Sequence, residues 1–175
     1  MRRSEPSYDT RYSQPGFYWG SRPTDLCRAV VKLKATLPHR IPSLVDLGTG
    51  EGRDLLHFAR NGFRTLGIDI SPVGLAKAER RAEHRGLTIR VQLGDLRTCR
   101  IPGRFDVVFS SGALNNLPRT VRGRRFAKFK GVTIPGGIHA MNAFVPKPYL
   151  KPAPEMDPAN RRFGPGSSLG TTGIG

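Results

Sequence analysis

The stretch with the clearest capacity for chemistry is a glycine-rich run that follows an apolar segment and precedes a helical one. It reads Val45-Asp46-Leu47-Gly48-Thr49-Gly50-Glu51-Gly52. Glycines permit a sharp turn and let the backbone approach a ligand closely. A plain tight turn is the alternative, although three alternating glycines between a strand and a helix disfavour it.

Two common nucleotide-binding loops do not match this run. The dinucleotide fingerprint G-x-G-x-x-G requires a third glycine at the position where this chain has Arg53. The P-loop requires a Gly-Lys-Ser/Thr sequence, which does not follow here. The run therefore predicts a ligand of another class.

Strands and helices alternate around this loop. Their order predicts an α/β, Rossmann-like, doubly wound and mostly parallel sheet with helices on both faces. The loops that follow parallel strands then meet at the carboxyl edge of the sheet. The predicted strands are 44–47, 64–68, 88–93, 105–109 and 137–144, and the predicted helices are 22–37, 54–61, 72–85 and 119–130.

Four further motifs follow the glycine loop in a fixed order. They are Gly67-Ile68-Asp69-Ile70-Ser71, Gly94-Asp95-Leu96, the strand 105–109 with Ser110 and Ser111, and Ile134-Pro135-Gly136-Gly137. In this order the chain resembles the class I S-adenosylmethionine-dependent methyltransferases over roughly residues 12–157. The resemblance implies S-adenosyl-L-methionine as the cofactor and no metal.

The resemblance also implies which residues would bind that cofactor. Asp46 would complement the ammonium and the sulfonium, Asp69 would accept the ribose hydroxyls, and Asp95 would meet the adenine amino group. The full expected set is Asp46, Gly48, Thr49, Gly50, Gly52, Asp69, Ile70, Asp95, Leu96 and Ser110. No residue is identified as catalytic.

An aromatic segment near the N-terminus carries a narrower resemblance. Phe17-Tyr18-Trp19-Gly20 with Pro23, and the loop Leu114-Asn115-Asn116-Leu117, resemble the tellurite-resistance and thiopurine methyltransferase branch. In that branch an aromatic segment lies over the cofactor, which implies that Tyr18 and Trp19 form a lid. Packing of both rings on the core, without a lid role, is the alternative.

The chain is strongly basic, with a formal net charge of +16 and a pI near 11.2. Residues 107–154 contain no acidic side chain, and one predicted helix concentrates the positive charge. Such a helix face is either simply solvated or attracts nucleic acid. Its basic residues are Arg119, Arg122, Arg124, Arg125, Lys128 and Lys130.

Other candidate sites carry weaker signals. Cys27 and Cys99 lack metal-ligand or C-x-x-C spacing, and two free thiols are typical of a reducing cytosol. The four histidines have no ligand partner at metal spacing. No apolar run approaches the roughly 18 residues of a membrane span. A cytoplasmic protein without membrane contact is expected.

The chain divides into three predicted parts. Residues 1–40 form the aromatic segment and first helix, residues 41–145 form the cofactor domain, and residues 146–175 form an irregular tail rich in Pro and Gly. The family-like pattern stops near residue 158, so we expect the C-terminal strand pair to be missing through truncation or a frame change. Strand 138–144 would then be an uncovered edge.

These observations predict methyl transfer to a small-molecule acceptor, such as a thiol or a metalloid oxyanion. A soft anionic nucleophile needs no strong general base, which agrees with the lack of an obvious one. One alternative is a catalytically impaired relic of such an enzyme. Another is a nucleic-acid methyltransferase that the basic 119–130 stretch recruits.

Overall fold

The computed structural model describes residues 7–142, in which five parallel strands form one sheet. The strand order across the sheet is β3-β2-β1-β4-β5: the second and third strands extend the sheet to one side of β1, and the last two extend it to the other side. The predicted doubly wound α/β fold is confirmed. The strands are β1 (Ser43–Leu47), β2 (Arg64–Asp69), β3 (Arg90–Leu93), β4 (Phe105–Ser111) and β5 (Thr133–Asn142).

Five α-helices connect or precede these strands in the described part of the chain. Ser71 caps α4 as predicted, because its Oγ accepts from the backbone N–H of Gly74, and Pro72 occupies the first helical position. The helices are α1 (Tyr8–Tyr12), α2 (Asp25–Lys32), α3 (Arg53–Arg60), α4 (Pro72–Glu83) and α5 (Arg119–Gly131).

The first long helix is shorter than its apolar spacing predicted. The predicted span 22–37 is wrong at both ends, because α2 begins only at Asp25 and ends at Lys32. Thr24 is the N-cap, and its hydroxyl accepts from the backbone N–H of Cys27. The chain then tightens into a 3-10 turn at Lys34–Thr36, and the remaining apolar positions, Leu33 and Leu37, flank this turn as its caps.

Successive residues of the central strands bury opposite faces of the sheet. Leu44 and Phe109 pack against Phe58 of α3 on one face. Val45 and Val108 pack with Phe129 of α5 on the other face. Because both faces are covered, these strands are apolar along nearly their whole length rather than alternating with polar residues.

The last strand differs from its prediction. β5 begins at Thr133, and the register against β4 shifts between Phe105 and Val107. The Pro135-Gly136 turn expected ahead of the strand is therefore an irregularity inside it, where Gly136 has a φ of 76°. Within residues 7–142, β5 lies at the sheet edge. Residues 143–175, with the predicted tail and missing strand pair, lie outside the described part.

The side chain of Phe58 tests this core. Its ring centroid lies 4.9 Å from that of Phe109 and 5.3 Å from that of Phe63, and it is fully buried. We expect Phe58→Ala to lower the free energy of unfolding in urea by about 3–5 kcal/mol. Phe126→Ala is the control, since that ring is 37% exposed, and it should cost much less. Equal losses in the two variants would contradict the assigned core.

Candidate active site

A cavity of about 440 Å³ opens at the carboxyl edge of the sheet, beside the paired strands β1 and β4, whose following helices pack on opposite faces. Ligands of open α/β sheets bind at this switch point. Residues at or just after the ends of all five strands contribute to its wall. The lining includes Asp46, Gly48, Thr49, Gly50, Glu51, Asp69, Ile70, Asp95, Leu96, Arg97, Ser111, Gly112, Ala113 and Asn142, together with Tyr8, Tyr12 and Trp19 of the N-terminal segment.

The glycine loop passes under this cavity with little free space. A Cβ on Gly48 would lie 2.1 Å from the Cβ of Ala113, and one on Gly50 would lie 2.7 Å from the Tyr12 hydroxyl. Both glycines have positive φ, of 81° and 54°. The loop therefore requires glycine at these two positions for backbone conformation as well as for space.

Asp69 at the end of β2 faces the cavity and also fastens the loop. One oxygen, Oδ2, accepts from the Gly50 N–H at 2.8 Å, and Oδ1 accepts from the Ser71 N–H at 2.9 Å. Burial raises the pKa of this carboxyl, while the backbone hydrogen bonds oppose the shift. Asp69 thus has a structural role in addition to the cofactor contact predicted for it.

Asp46 at the end of β1 is the most perturbed carboxyl in the wall. It is 3% exposed and accepts a hydrogen bond of 2.8 Å from the Thr49 hydroxyl. Burial, followed by the nearby charge of Asp54, raises its pKa to about 8. A cation brought into the cavity would favour the ionised form, because opposite charge lowers the pKa of a carboxyl.

Asp95 follows β3 and lies in a more open part of the wall. Its carboxylate accepts from the Arg97 guanidinium Nε at 2.7 Å and from the Arg97 backbone N–H at 2.8 Å. The side-chain hydrogen bond is the main cause of its lowered pKa. Asp95 is therefore ionised at neutral pH, and it lines the cavity together with Leu96 and Ile70.

The charged residues that line the cavity are mostly acidic, whereas the chain as a whole carries a positive net charge. The sequence carries a net charge of +16, yet five of its 13 acidic residues line this one cavity. Two guanidinium groups face them, and the lining contains no lysine or histidine within the described residues. The arrangement suits a cationic ligand rather than a phosphate-bearing one. The charged residues are Asp46, Glu51, Asp54, Asp69, Asp95, Arg53 and Arg97.

The aromatic N-terminal segment closes the cavity from above the loop. Trp19 lines the cavity, and its Nε1 donates to the Tyr12 hydroxyl at 3.2 Å. Asn116 donates to the Tyr8 hydroxyl at 2.8 Å and so joins the segment to the far wall. Tyr18 lies outside the lining, and its ring meets that of Trp19 edge-on at 4.8 Å.

Two residues of the expected cofactor set, Ser110 and Gly52, lie behind the wall and not in the lining of the cavity. Ser110 is fully buried, and its Oγ donates to the Leu47 carbonyl, so its neighbour Ser111 faces the cavity instead. A Cβ on Gly52 would lie 2.5 Å from a Leu56 methyl and 2.7 Å from the Cβ of Ala78. Gly52 therefore permits close packing of α3 against α4.

Several lining residues were missed by the sequence analysis. Tyr12 belongs to a five-residue helix too short for a periodic signal, although the Ser7 cap and the Tyr8/Tyr12 spacing were visible. Glu51 is a charged residue inside the glycine loop, which was a signal in itself. Asn142 is a polar residue at the end of an apolar strand, a pattern shared with many surface loops. Asn116 belongs to the loop 114–117 that carried the narrower resemblance, although no site role was assigned to it there.

The basic helix is less exposed than its composition suggested. Arg125 is buried and donates to the Cys99 carbonyl at 2.7 Å. Arg122 donates to the carbonyls of Leu117 and Asn115. Two of the six basic side chains of α5 thus satisfy backbone carbonyls inside the domain, which reduces the surface available to a polyanion.

Other sequence candidates lie away from the cavity. His39 meets Asp106 at 2.7 Å at the opposite end of β4. Among residues 7–142, no group of three or more His, Cys, Asp or Glu side chains has the geometry of a metal site. No helix in that range is both long and apolar enough to cross a membrane.

The raised pKa of Asp46 has a testable consequence for the ligand-free protein. A folded pKa near 8, above the ordinary value of 3.8, makes ionisation of the native state costly. Stability from this group is therefore lost progressively as pH rises from about 4 to about 8. Asp46→Asn should be more stable than the parent at pH 8 and gain little at pH 4, by urea unfolding. Exposed Asp25→Asn is the control, and a loss of stability at pH 8 would contradict the assignment.

Comparison with known proteins identifies the family. Residues 44–137 match the model of the methyltransferase domain family. The ribosomal protein L11 methyltransferase of Thermus thermophilus is 29% identical over 126 residues, which is 71% of this chain and 47% of that protein.

Solved structures agree with this fold. The CcbJ methyltransferase of Streptomyces caelestis matches with a TM-score of 0.63 and 21% identity, over 79% of this chain and 57% of that one. TehB from Haemophilus influenzae matches with a TM-score of 0.61 and 19% identity, over 77% and 43%.

The chain spans about half the length of the relatives that it matches. The family match covers the glycine loop and all three strand-end acids of the cavity. The family match agrees with the expectation of an S-adenosylmethionine cofactor. The chain belongs to the methyltransferase domain family and has a class I methyltransferase fold.

Proposed function

We propose that this chain binds S-adenosylmethionine in the carboxyl-edge cavity and transfers its methyl group to a small-molecule acceptor. The observation that carries the proposal is the concentration of five acidic residues around this cavity in a chain of net charge +16. S-adenosylmethionine carries an ammonium and a sulfonium, and both are complementary to such a wall. A dinucleotide, with its pyrophosphate, is not.

The residues present fit this cofactor. The glycine loop leaves its backbone close to the cavity, since side chains at Gly48 and Gly50 would collide with Ala113 and Tyr12. In this proposal Asp46 complements the cationic end and Asp69 accepts from the ribose. Asp95, which is more exposed, accepts from the adenine amino group.

The chemistry of the reaction places few demands on this chain. Once held by these residues, S-adenosylmethionine would supply an electrophilic methyl group: the acceptor lone pair would bond to the methyl carbon, the carbon–sulfur bond would break with its electrons going to sulfur, and S-adenosylhomocysteine would leave. Alignment of the reactants is the contribution expected of the protein, and in well-oriented systems it lowers barriers by up to roughly 7–11 kcal/mol.

The acidic side chains of the wall already accept hydrogen bonds from other groups, so none is free to act as a general base. This supports an acceptor that needs no deprotonation. Asp54 accepts from the backbone N–H and the hydroxyl of Thr24, and Glu51 accepts from Lys77 and from the Tyr18 N–H. No carboxylate in the wall is free of such partners, and no histidine of the described chain lines it. A thiolate or a metalloid oxyanion needs no proton removed, so such acceptors suit this site.

The positions of two residues in the cavity support the resemblance to the tellurite-resistance and thiopurine methyltransferase branch. Trp19 and Asn116 belong to the two segments that resemble the tellurite-resistance and thiopurine methyltransferase branch. Both residues line the same cavity, although they are far apart in the sequence. We therefore assign the acceptor to the chemistry of that branch. A protein acceptor is the second candidate, because one relative is a ribosomal protein L11 methyltransferase.

An acceptor panel tests this proposal. We expect label from methyl-labelled S-adenosylmethionine to move to small thiols or metalloid oxyanions, and Asp46→Asn to abolish most of the transfer. Asp25→Asn, on the exposed surface, should leave transfer unchanged. Transfer to a ribosomal protein or to total RNA, with none to the small acceptors, would contradict the proposed acceptor class.

A further inference from the structure

Glu51 has a buried carboxylate that does not face a predicted ligand group. It lies between Gly50 and Gly52 in the glycine loop and is 3% exposed. Oε2 accepts from the backbone N–H of Tyr18 at 2.8 Å, and Oε1 accepts from Lys77 Nζ at 2.9 Å. The loop under the cavity is therefore bonded directly to the aromatic segment above it.

Lys77 of α4 extends this connection. Besides Glu51, its ammonium donates to the carbonyl of Gln14 at 2.8 Å and to that of Gly16 at 3.0 Å. An ammonium has three donors, so all three are used, and two of them hold the segment 14–19. The Lys77 side chain is 15% exposed; its bond to Glu51 is partly buried, whereas its two bonds to the segment carbonyls lie at the surface.

Two arginines hold the same segment at neighbouring points. Arg81, one helical turn after Lys77, donates to the Glu51 carbonyl at 2.8 Å, and its guanidinium lies 3.8 Å from the centroid of the Phe17 ring. Arg53 donates to the Trp19 carbonyl at 3.0 Å. The contacts on segment 14–19 thus come from the glycine loop and from the two helices that pack beside it.

We propose that Glu51 and Lys77 are positioning residues that fasten segment 14–19 to the glycine loop and so hold Trp19 over the bound cofactor. A buried ion pair adds little stability compared with apolar packing, but it fixes one arrangement of the groups that it joins. Because one member belongs to the loop itself, the position of the segment and the conformation of the loop are coupled. The consequence for the cofactor rests on the proposed function, whereas the fastening does not.

Hydrogen exchange of the cofactor-free protein tests the fastening. Lys77→Met removes three hydrogen bonds but preserves the length of the stem, and Lys128→Met on exposed α5 is its control. We expect amides of residues 13–20 to exchange at least about tenfold faster in Lys77→Met than in the control, since bonds to charged groups are lost. Equal exchange in the two variants would overturn the proposal.

Cofactor binding tests the coupling. Glu51→Gln, with exposed Glu79→Gln as its control, should weaken S-adenosylmethionine binding about tenfold in calorimetry and reduce the response of Trp19 fluorescence. Lys77→Arg should recover part of the affinity lost in Lys77→Met. Unchanged affinity and fluorescence in both variants would overturn the coupling. If Glu51→Gln does not fold, Lys77→Met decides the result.

Failure of the proposed function and failure of the positioning role would give different results in these experiments. A parent protein that binds no S-adenosylmethionine overturns the proposed function, while the hydrogen-exchange comparison of the cofactor-free variants still decides whether Glu51 and Lys77 hold the segment. A parent that binds the cofactor, with variants indistinguishable from their controls, overturns the positioning role alone.

Discussion

The hydrogen bond from the Gly50 N–H to the Asp69 carboxylate is the contact on which the shape of the site depends. It joins the loop after β1 to the end of β2, at 2.8 Å and away from water. The loop approaches β2 this closely because residue 67 is glycine: a Cβ there would lie 2.7 Å from side-chain atoms of Leu55 and Thr49. The ligand-facing backbone is therefore fixed by a residue of the neighbouring strand as well as by its own glycines.

The same closeness creates the electrostatic character of the cavity. Parallel strands bring Asp46, Asp69 and Asp95 to one edge, and the glycine loop and α3 add Glu51 and Asp54. Burial raises the pKa of Asp46 to about 8, so this side chain is largely protonated at neutral pH. A cation bound in the cavity would lower that pKa and favour loss of the proton. The rest of the chain is basic and repels cations at a distance, so the attraction for a cationic ligand is confined to this cavity.

The sequence was sufficient for the architecture because the core strands and the glycine loop carry strong local signals. All five strands and four of the five helices of the described part were anticipated, and so were eight members of the expected cofactor set that line the cavity. The different surroundings of Ser110 and Ser111 have a simple cause. Adjacent residues of a strand face opposite sides, so Ser111 lines the cavity while Ser110 is buried.

The remaining errors reflect contacts that no local pattern contains. Helix α1 has five residues, and it depends on the Ser7 cap and on Tyr12 filling the space above Gly50 and Gly74. The pairing of β5 from Thr133 depends on β4, which accepts a register shift around Pro135 and Gly136. The inward direction of Arg125 depends on the Cys99 carbonyl, 26 residues away.

Parallel calorimetric titrations of the parent protein with S-adenosylmethionine and with NAD test the central claim most directly. That claim is that the acidic cavity at the carboxyl edge accommodates a cationic nucleoside and disfavours a pyrophosphate. We predict saturable binding of S-adenosylmethionine, and binding of NAD that is weaker by at least about tenfold. NAD binding as tight as that of S-adenosylmethionine would contradict the account.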